Sequence, residues 1–316
     1  MGVTEDIRIA FIGAGNMARE HIRAFSDMPG VVLSGIFSRT REKCESLASE
    51  FAIPHVCGSI DELYEKTQAH LVVVTVSVAA MEETGLAAAQ HPWALLLEKP
   101  PALSVAGVQR LVDTGADIFV AMNRRFLSST LAVRQELEGK TAPRFIHVQD
   151  EQPILKIKQA HNHPPEVLER WMYANCIHLV DYFTFLGRGA ISKVDVLQPW
   201  NGIDDTFMTL AHIAFESGDR GLYECHWRAQ GPWAVSVASE DGRWEMKPLE
   251  AARKQMPGSR VWHDMPPTDD LDTDFKPGFR RQALSVIAAL RGASSDALRL
   301  GDVMPTFDLI KGVYGV

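Results

Sequence analysis

The sequence predicts an α/β protein: an N-terminal doubly wound parallel sheet of Rossmann type, joined to a C-terminal α+β domain built on a large, mostly antiparallel sheet. Three observations predict it. Short apolar runs alternate with helical spacings over the first 123 residues. The run Leu71-Val72-Val73-Val74-Thr75-Val76 is apolar without alternation, as a strand covered on both faces requires. Beyond Asn123, strand-like stretches follow one another across short Gly and Asp turns.

Ile7 to Ile12 is a first strand ending in glycines, and Met17 to Phe25 has the spacing of a helix. Val31 to Phe37 is a second strand, followed by helices over Arg41 to Phe51 and near Ile60 to Lys66. The buried run at Leu71, a helix over Ala79 to Gln90, a strand over Ala94 to Leu97, a helix over Ser104 to Asp113 and a strand over Ile118 to Met122 complete the alternation. The second domain opens with a helix over Leu127 to Glu138 and a strand over Arg144 to Asp150. A long polar loop containing Pro164-Pro165 comes next, then a helix over Glu166 to Leu186. Strands are expected over Ser192 to Gln198, Thr206 to Glu216, Gly221 to Arg228, Trp233 to Ser239 and Arg243 to Met246. Met256 to Pro277 reads as an extended loop, and Phe279 to Leu290 and Val303 to Val313 as helices. The predicted domains are residues 1–123 and 124–316, with the last helix a candidate to pack back on the first.

The formal net charge is −8 and no block of Lys or Arg occurs, which argues against nucleic acid or an anionic membrane as partner. Cys44, Cys57, Cys176 and Cys225 never form C-x-x-C, so neither a zinc knuckle nor a redox dithiol is expected, and a reducing cytoplasm fits. The start Met1 to Asp6 lacks the blocks of a signal peptide. The longest apolar stretch, Leu71 to Met81, is about half the ~20 residues of a spanning helix.

Gly13-Ala14-Gly15-Asn16-Met17-Ala18 lies between a predicted strand and a predicted helix. Its glycines permit a tight turn and close backbone approach, and the helix start aims free N–H groups at phosphate, so a dinucleotide is expected here. Ser38-Arg39-Thr40 ends the second strand where an acid would bind the ribose hydroxyl of NAD. A guanidinium between two hydroxyls suits a 2′-phosphate instead, which favours NADP over NAD; the alternative is a Ser38 cap beside a solvated Arg39. Thr75, Ser77 and Asn123 join the expected cofactor set. The strand at Ala94 runs into Glu98-Lys99-Pro100-Pro101, placing a carboxylate and an ammonium at the carboxyl edge of the sheet, where ligands of open α/β folds bind.

These motifs, with Asn123-Arg124-Arg125-Phe126 and Asn175-Cys176-Ile177-His178-Leu179-Val180-Asp181, occur in an order that resembles the glucose-fructose oxidoreductase, inositol dehydrogenase and MocA family (Gfo/Idh/MocA). The resemblance implies that Lys99 contacts the reacting substrate oxygen, that Glu98 lies near the nicotinamide ribose, and that the Lys99-Pro100 bond is cis. It also implies that His178 is the catalytic histidine with Asp181 as its companion acid, and that the second sheet pairs subunits into a homodimer or larger homo-oligomer. Physical chemistry agrees on the roles: a histidine near neutrality can exchange the proton of a C–O oxygen, and a lysine can stabilise the alkoxide. One departure stands out. Where better-known sugar dehydrogenases of the family carry an Asp four residues before the histidine, this chain has Ala174, although Asn175 offers an amide on the same helix face.

Arg124, Arg125, Lys156, Lys158, His161, His163 and Arg170 suggest an anionic substrate, against the plainer reading of solvated loop charges. His161 and His163 lack a further clustered ligand, so no metal is expected. Trp171, Tyr173 and Trp200 are more readily core than sugar platforms. The expected substrate set is Lys99, Arg124, Asn175, His178 and Asp181. The function expected is NADP-dependent oxidation or reduction of a hydroxyl or keto carbon in a sugar derivative. The competing readings are a non-catalytic NADP-binding regulator and a redox-neutral NAD-dependent glycosidase or epimerase.

Overall fold

A computed structural model describes residues 6–316. The leader expectation rests on Met1 to Asp6 and, apart from Asp6, lies outside the described residues. In chain order the elements begin β1 Ile7–Ile12, α1 Asn16–Phe25, β2 Val31–Phe37, α2 Arg41–Phe51, β3 His55–Cys57, α3 Ile60–Thr67, β4 Leu71–Val74, α4 Val78–Ala88, β5 Ala94–Glu98, α5 Val105–Val112 and β6 Ile118–Ala121. After a 3-10 turn at Asn123–Phe126 come α6 Ser128–Leu137, β7 Phe145–Glu151, α7 Ile154–Gln159, α8 Pro165–Glu169, a π-helical turn Met172–Cys176 and α9 Ile177–Leu186. The remainder is β8 Ile191–Gln198, β9 Met208–Phe215, β10 Arg220–His226, β11 Ala234–Ser239, β12 Gly242–Met246, β13 Ala252–Gln255, β14 His263–Met265, α10 Leu271–Asp274, α11 Phe279–Leu290 and α12 Leu300–Tyr314.

The chain divides into two compact units: residues up to Asn123 with Leu271–Val303, and Arg124–Asp270 with Met304–Val316. Residues 271–303, assigned to the second domain by sequence, therefore group with the first, and the division falls inside α12. The reason is apolar. Phe279, Ala283, Val286 and Ile287 of α11 are buried in one core with Ile22 and Phe25 of α1 and Ile9, Phe11, Val73 and Leu96 of the sheet.

The first sheet is parallel with order β3-β2-β1-β4-β5-β6, reversing between β1 and β4, the crevice where open α/β sheets bind ligands. Its strands β4 and β5 are buried at every residue, which is why their sequences show no alternation. The free edge of β6 is covered by returning chain: Val120 N–H donates to Leu298 O at 2.9 Å, and Phe119 bridges Arg299.

The second sheet has order β14-β13-β12-β11-β7-β10-β9-β8, with β7 and β10 parallel and every other neighbour antiparallel. Gly221 of β10 leaves room for the Phe183 ring of α9, since a Cβ there would sit 2.6 Å from it. The antiparallel strands alternate buried and half-buried along β9 and β10, the pattern of a sheet with one face on the core.

Several elements escaped the sequence reading. β3 has three residues, too few to show a period. α7 lies in the stretch read as polar loop, and only its Ile154 is buried. β13 and β14 carry Arg253, Lys254, His263 and Asp264, charges that suit an edge strand and hide its apolar alternation. The long helix expected over Glu166 to Leu186 is interrupted: α8 stops at Glu169, and Tyr173 and Ala174 both donate their N–H to Arg170 O as the π turn opens. No helix among the described residues is long and apolar enough to cross a membrane.

Candidate active site

In the first unit, a cleft of about 490 Å³ opens over the β1–α1 turn, lined by Gly13, Ala14, Gly15, Ser38, Arg39, Thr40, Lys43, Thr75, Ser77 and Glu83, among others. Gly13 has φ +110°, and a Cβ on it would lie 2.7 Å from Thr75 O, so the turn tolerates only glycine. Above Gly15 nothing lies within 4 Å of a notional Cβ, leaving space for a ligand against the backbone. Asn16 is exposed, Met17 half-buried, and Ala18 fully buried, where a small side chain lets helix and sheet approach.

Among α1 to α5 the helix caps separate into two sets. Ser59 and Ser104 accept the backbone N–H of Glu62 and Gly107, capping α3 and α5. The N-cap residues of α1, α2 and α4 are Gly15, Thr40 and Ser77, all lining the cleft, and none accepts a side-chain cap bond. Three helix starts thus keep N–H donors for an anion. Ser38 does not cap α2: its Oγ accepts Thr40 N–H at 3.5 Å, and Thr40 is the N-cap. Lys43, which the sequence reading missed, joins exposed Arg39 at the same end. Its signal was legible, because a cation in a helix's first turn opposes the macrodipole.

At the carboxyl end of β5, Glu98 is buried and accepts His21 Nε2–H at 2.8 Å and the Lys99 backbone N–H at 3.0 Å. Burial pushes its carboxyl up, but the His21 hydrogen bond and the charges of His21 and Lys99 outweigh that and hold it below the usual range. His21 was another omission: a buried histidine on α1, stacked on Phe279 at 4.7 Å. Lys99 is half-buried and its bond to Pro100 is cis. Asn123 is buried, and its Nδ2 donates to Pro277 O at 3.0 Å.

In the second unit, His178 lies buried on α9 with its ring 5.9 Å from that of Trp233, a residue not singled out from the sequence. Arg124 stacks its guanidinium 5.7 Å over the same indole and donates to Glu250 Oε1 at 2.7 Å. The buried Arg124 Nε has no hydrogen-bond partner among the described residues. Trp233 therefore gathers two of the expected substrate residues.

Asp181 is placed differently from its expected role. Both its oxygens accept from Arg125, at 2.7 Å each, and Oδ1 also accepts Thr306 Oγ1–H at 2.9 Å. It is an anchor for Arg125, an arrangement that spacing alone cannot distinguish from a partner of His178. Asn175 is half-buried and its Nδ2 donates to Gln152 Oε1 at 2.9 Å.

The basic set disperses. Arg125 belongs to Asp181, Lys158 pairs with Asp204, and His163 packs edge-on against Trp171 at 5.0 Å. Trp171, Tyr173 and Trp200 are internal: Trp171 Nε1–H donates to Gln152 Oε1, Tyr173 stacks on Phe307, and Trp200 packs against Trp227 and Tyr314. Among the described residues, three groups able to ligate a metal cluster within 4.8 Å of one another at Asp150, Cys176 and Cys225, away from His161 and His163 in sequence and all buried. Asp150 already accepts from Gln152 Nε2 at 2.5 Å and Tyr223 OH at 2.9 Å.

Residues 7–117 match the Gfo/Idh/MocA model described as an oxidoreductase family with an NAD-binding Rossmann fold. This region belongs to that family. The chain is 26% identical over 246 residues to inositol 2-dehydrogenase of Agrobacterium fabrum, matching 75% of this chain and 65% of that protein. It is 23% identical over 197 residues to 4-carboxy-2-hydroxymuconate-6-semialdehyde dehydrogenase of a Sphingobium species, matching 61% and 62%. The matches thus span under two thirds of these relatives' lengths. A dehydrogenase structure from Chromobacterium violaceum shares the fold, with a TM-score of 0.82, 16% identity, and 98% and 95% of the two chains covered. The matched region contains the glycine turn and the three uncapped helix starts, and its family is described as having an NAD-binding Rossmann fold.

Proposed function

We propose that this chain is an oxidoreductase that uses NADP to interconvert a hydroxyl and a keto carbon in a sugar or related polyol. The observation that carries the reading is the cleft itself: Gly13 admits no side chain, three helix starts stand uncapped, and Arg39 and Lys43 supply the positive charge a 2′-phosphate needs. Bound NADP would supply or accept the hydride. Gly15, Asn16, Met17 and Ala18 present backbone donors to the pyrophosphate, Thr75 and Ser77 flank it, and Glu98 and Asn123 serve the nicotinamide half.

Lys99 holds the reacting oxygen and stabilises its negative charge, and His178 exchanges its proton. Arg124, stacked on the same Trp233 as His178 and paired through Nη1 with Glu250, is the residue we assign to a polar or anionic group of the substrate. Self-association through the outer face of the second sheet belongs to the same reading. There Leu210, Ala214 and Leu222 are half-buried, and sedimentation would report a dimer or larger species.

The test follows NADPH absorbance across inositol, aldoses, aldonates and their phosphate esters. Turnover that falls at least about a thousandfold in Lys99→Ala and His178→Ala, with NADP affinity kept, is expected. Tight NADP binding without turnover of any compound would favour the regulator instead, and substrate conversion without absorbance change the redox-neutral enzyme.

A further inference from the structure

We propose that Gln152 is a positioning residue that turns the Asn175 amide so that its nitrogen faces the protein and its Oδ1 faces a substrate hydroxyl. The inference rests on the oxidoreductase reading for the nature of the substrate, but not for the orientation.

The orientation follows from donors and acceptors. Trp171 Nε1–H can only donate, and it meets Gln152 Oε1 at 2.8 Å. On the other side, Asp150 Oδ1 accepts Gln152 Nε2–H at 2.5 Å. Gln152 is completely buried, so flipping its amide would set N–H against N–H at the indole and oxygen against oxygen at the carboxylate. With Oε1 fixed, the neighbouring amide can meet it only through nitrogen, as Asn175 Nδ2 does at 2.9 Å. Asp150 is itself held, because its Oδ2 accepts Tyr223 OH, whose oxygen lies 2.7 Å from Tyr314 OH. The network starts in the core and ends at one atom. Asn175 Oδ1 makes no hydrogen bond among the described residues, and Asn175 alone of the π turn is half-buried while its neighbours are buried.

An amide oxygen so presented accepts a hydroxyl and rejects a carbonyl, ether or carboxylate at that position. It stands beside Ala174, one residue from where an acid would otherwise serve. The site therefore reads a substrate hydroxyl through a neutral acceptor held from behind.

The test has two arms. By NMR, the Asn175 side-chain amide protons, assigned by their loss in Asn175→Ala, should exchange slowly in the wild type and quickly in Gln152→Met. Free exchange in the wild type overturns the proposal. In kinetics with the best hydroxyl substrate of the panel, Gln152→Met should raise KM about fivefold to tenfold, the size of one hydrogen bond, with the KM for NADP unchanged. The same substitution should add nothing in an Asn175→Ala background. An effect of Gln152→Met that persists there marks a merely structural role and overturns the proposal. Where Gln152→Met does not fold, the exchange rate of the wild-type Asn175 amide protons decides alone: slow exchange is the result expected, and free exchange overturns the proposal. Absence of turnover by any compound with slow amide exchange intact counts against the oxidoreductase reading, while the orientation stands.

Discussion

At residue scale the chemistry depends on side chains whose surroundings differ from what their spacing implies. Arg39 and Lys43 meet at one end of the cleft, four residues apart with the start of α2 between them. If they bind a 2′-phosphate, Arg39→Ala should raise KM for NADP at least about tenfold and change that for NAD less than about twofold, with Lys43→Ala weaker in the same direction. Equal losses for the two cofactors would remove the preference. Asp150 gives a second prediction. Burial lifts its carboxyl to about 6, against which the Gln152 and Tyr223 hydrogen bonds act. Between pH 4 and 6 the native state holds a proton that the unfolded chain has released, so this group's contribution to stability falls as pH rises through that window, by at most about 3 kcal/mol. Asp150→Asn should flatten that slope and raise Tm at pH 7 relative to wild type. The check is the difference between the two Tm curves across pH, because Glu98 and Asp219, held low, give the opposite slope in both proteins.

At element scale the deciding features are turns. The N-cap of α11 is Gly278, with φ +82°, and a Cβ there would sit 2.1 Å from Asn123 O. Gly278→Ala should therefore cost about 2 to 4 kcal/mol, read by urea unfolding, through left-handed strain and displacement of Asn123. The π turn Met172–Cys176 is the second such feature. Its position just before His178 fits the general occurrence of π bulges at functional sites. It seats Tyr173 in the core and leaves Asn175 on Gln152, an assignment that an ideal helix over Glu166 to Leu186 does not produce.

At the scale of the whole molecule, the chain leaves the first unit after Asn123 and supplies it again from Leu271. Without α11 the faces of Ile22 and Phe25 lose their cover, and β6 loses the chain at Leu298. A fragment of residues 1–123 should lack a cooperative thermal transition, whereas 1–123 linked to 271–303 should regain one; calorimetry of both decides it. A cooperative melt of the short fragment would show that α11 is dispensable.

The glycine turn, the buried parallel strands, the Glu98-Lys99-Pro100 edge and the family region were legible because each depends on neighbours in sequence: a φ only glycine adopts, an apolar run, a strand end. The alternation of β9 and β10 announced the second sheet in the same way. Tertiary structure alone decided the partners. Asp181 goes to Arg125, Glu98 to His21, Trp171 and Asn175 to Gln152, and residues 271–303 to the first unit. Each of these joins positions 19 to more than 150 residues apart, and a buried donor takes whichever acceptor folding brings within about 3 Å. The sequence by itself determined which groups exist and the local frames that carry them; only the packed structure decided which of those groups are already satisfied and which are left for a ligand.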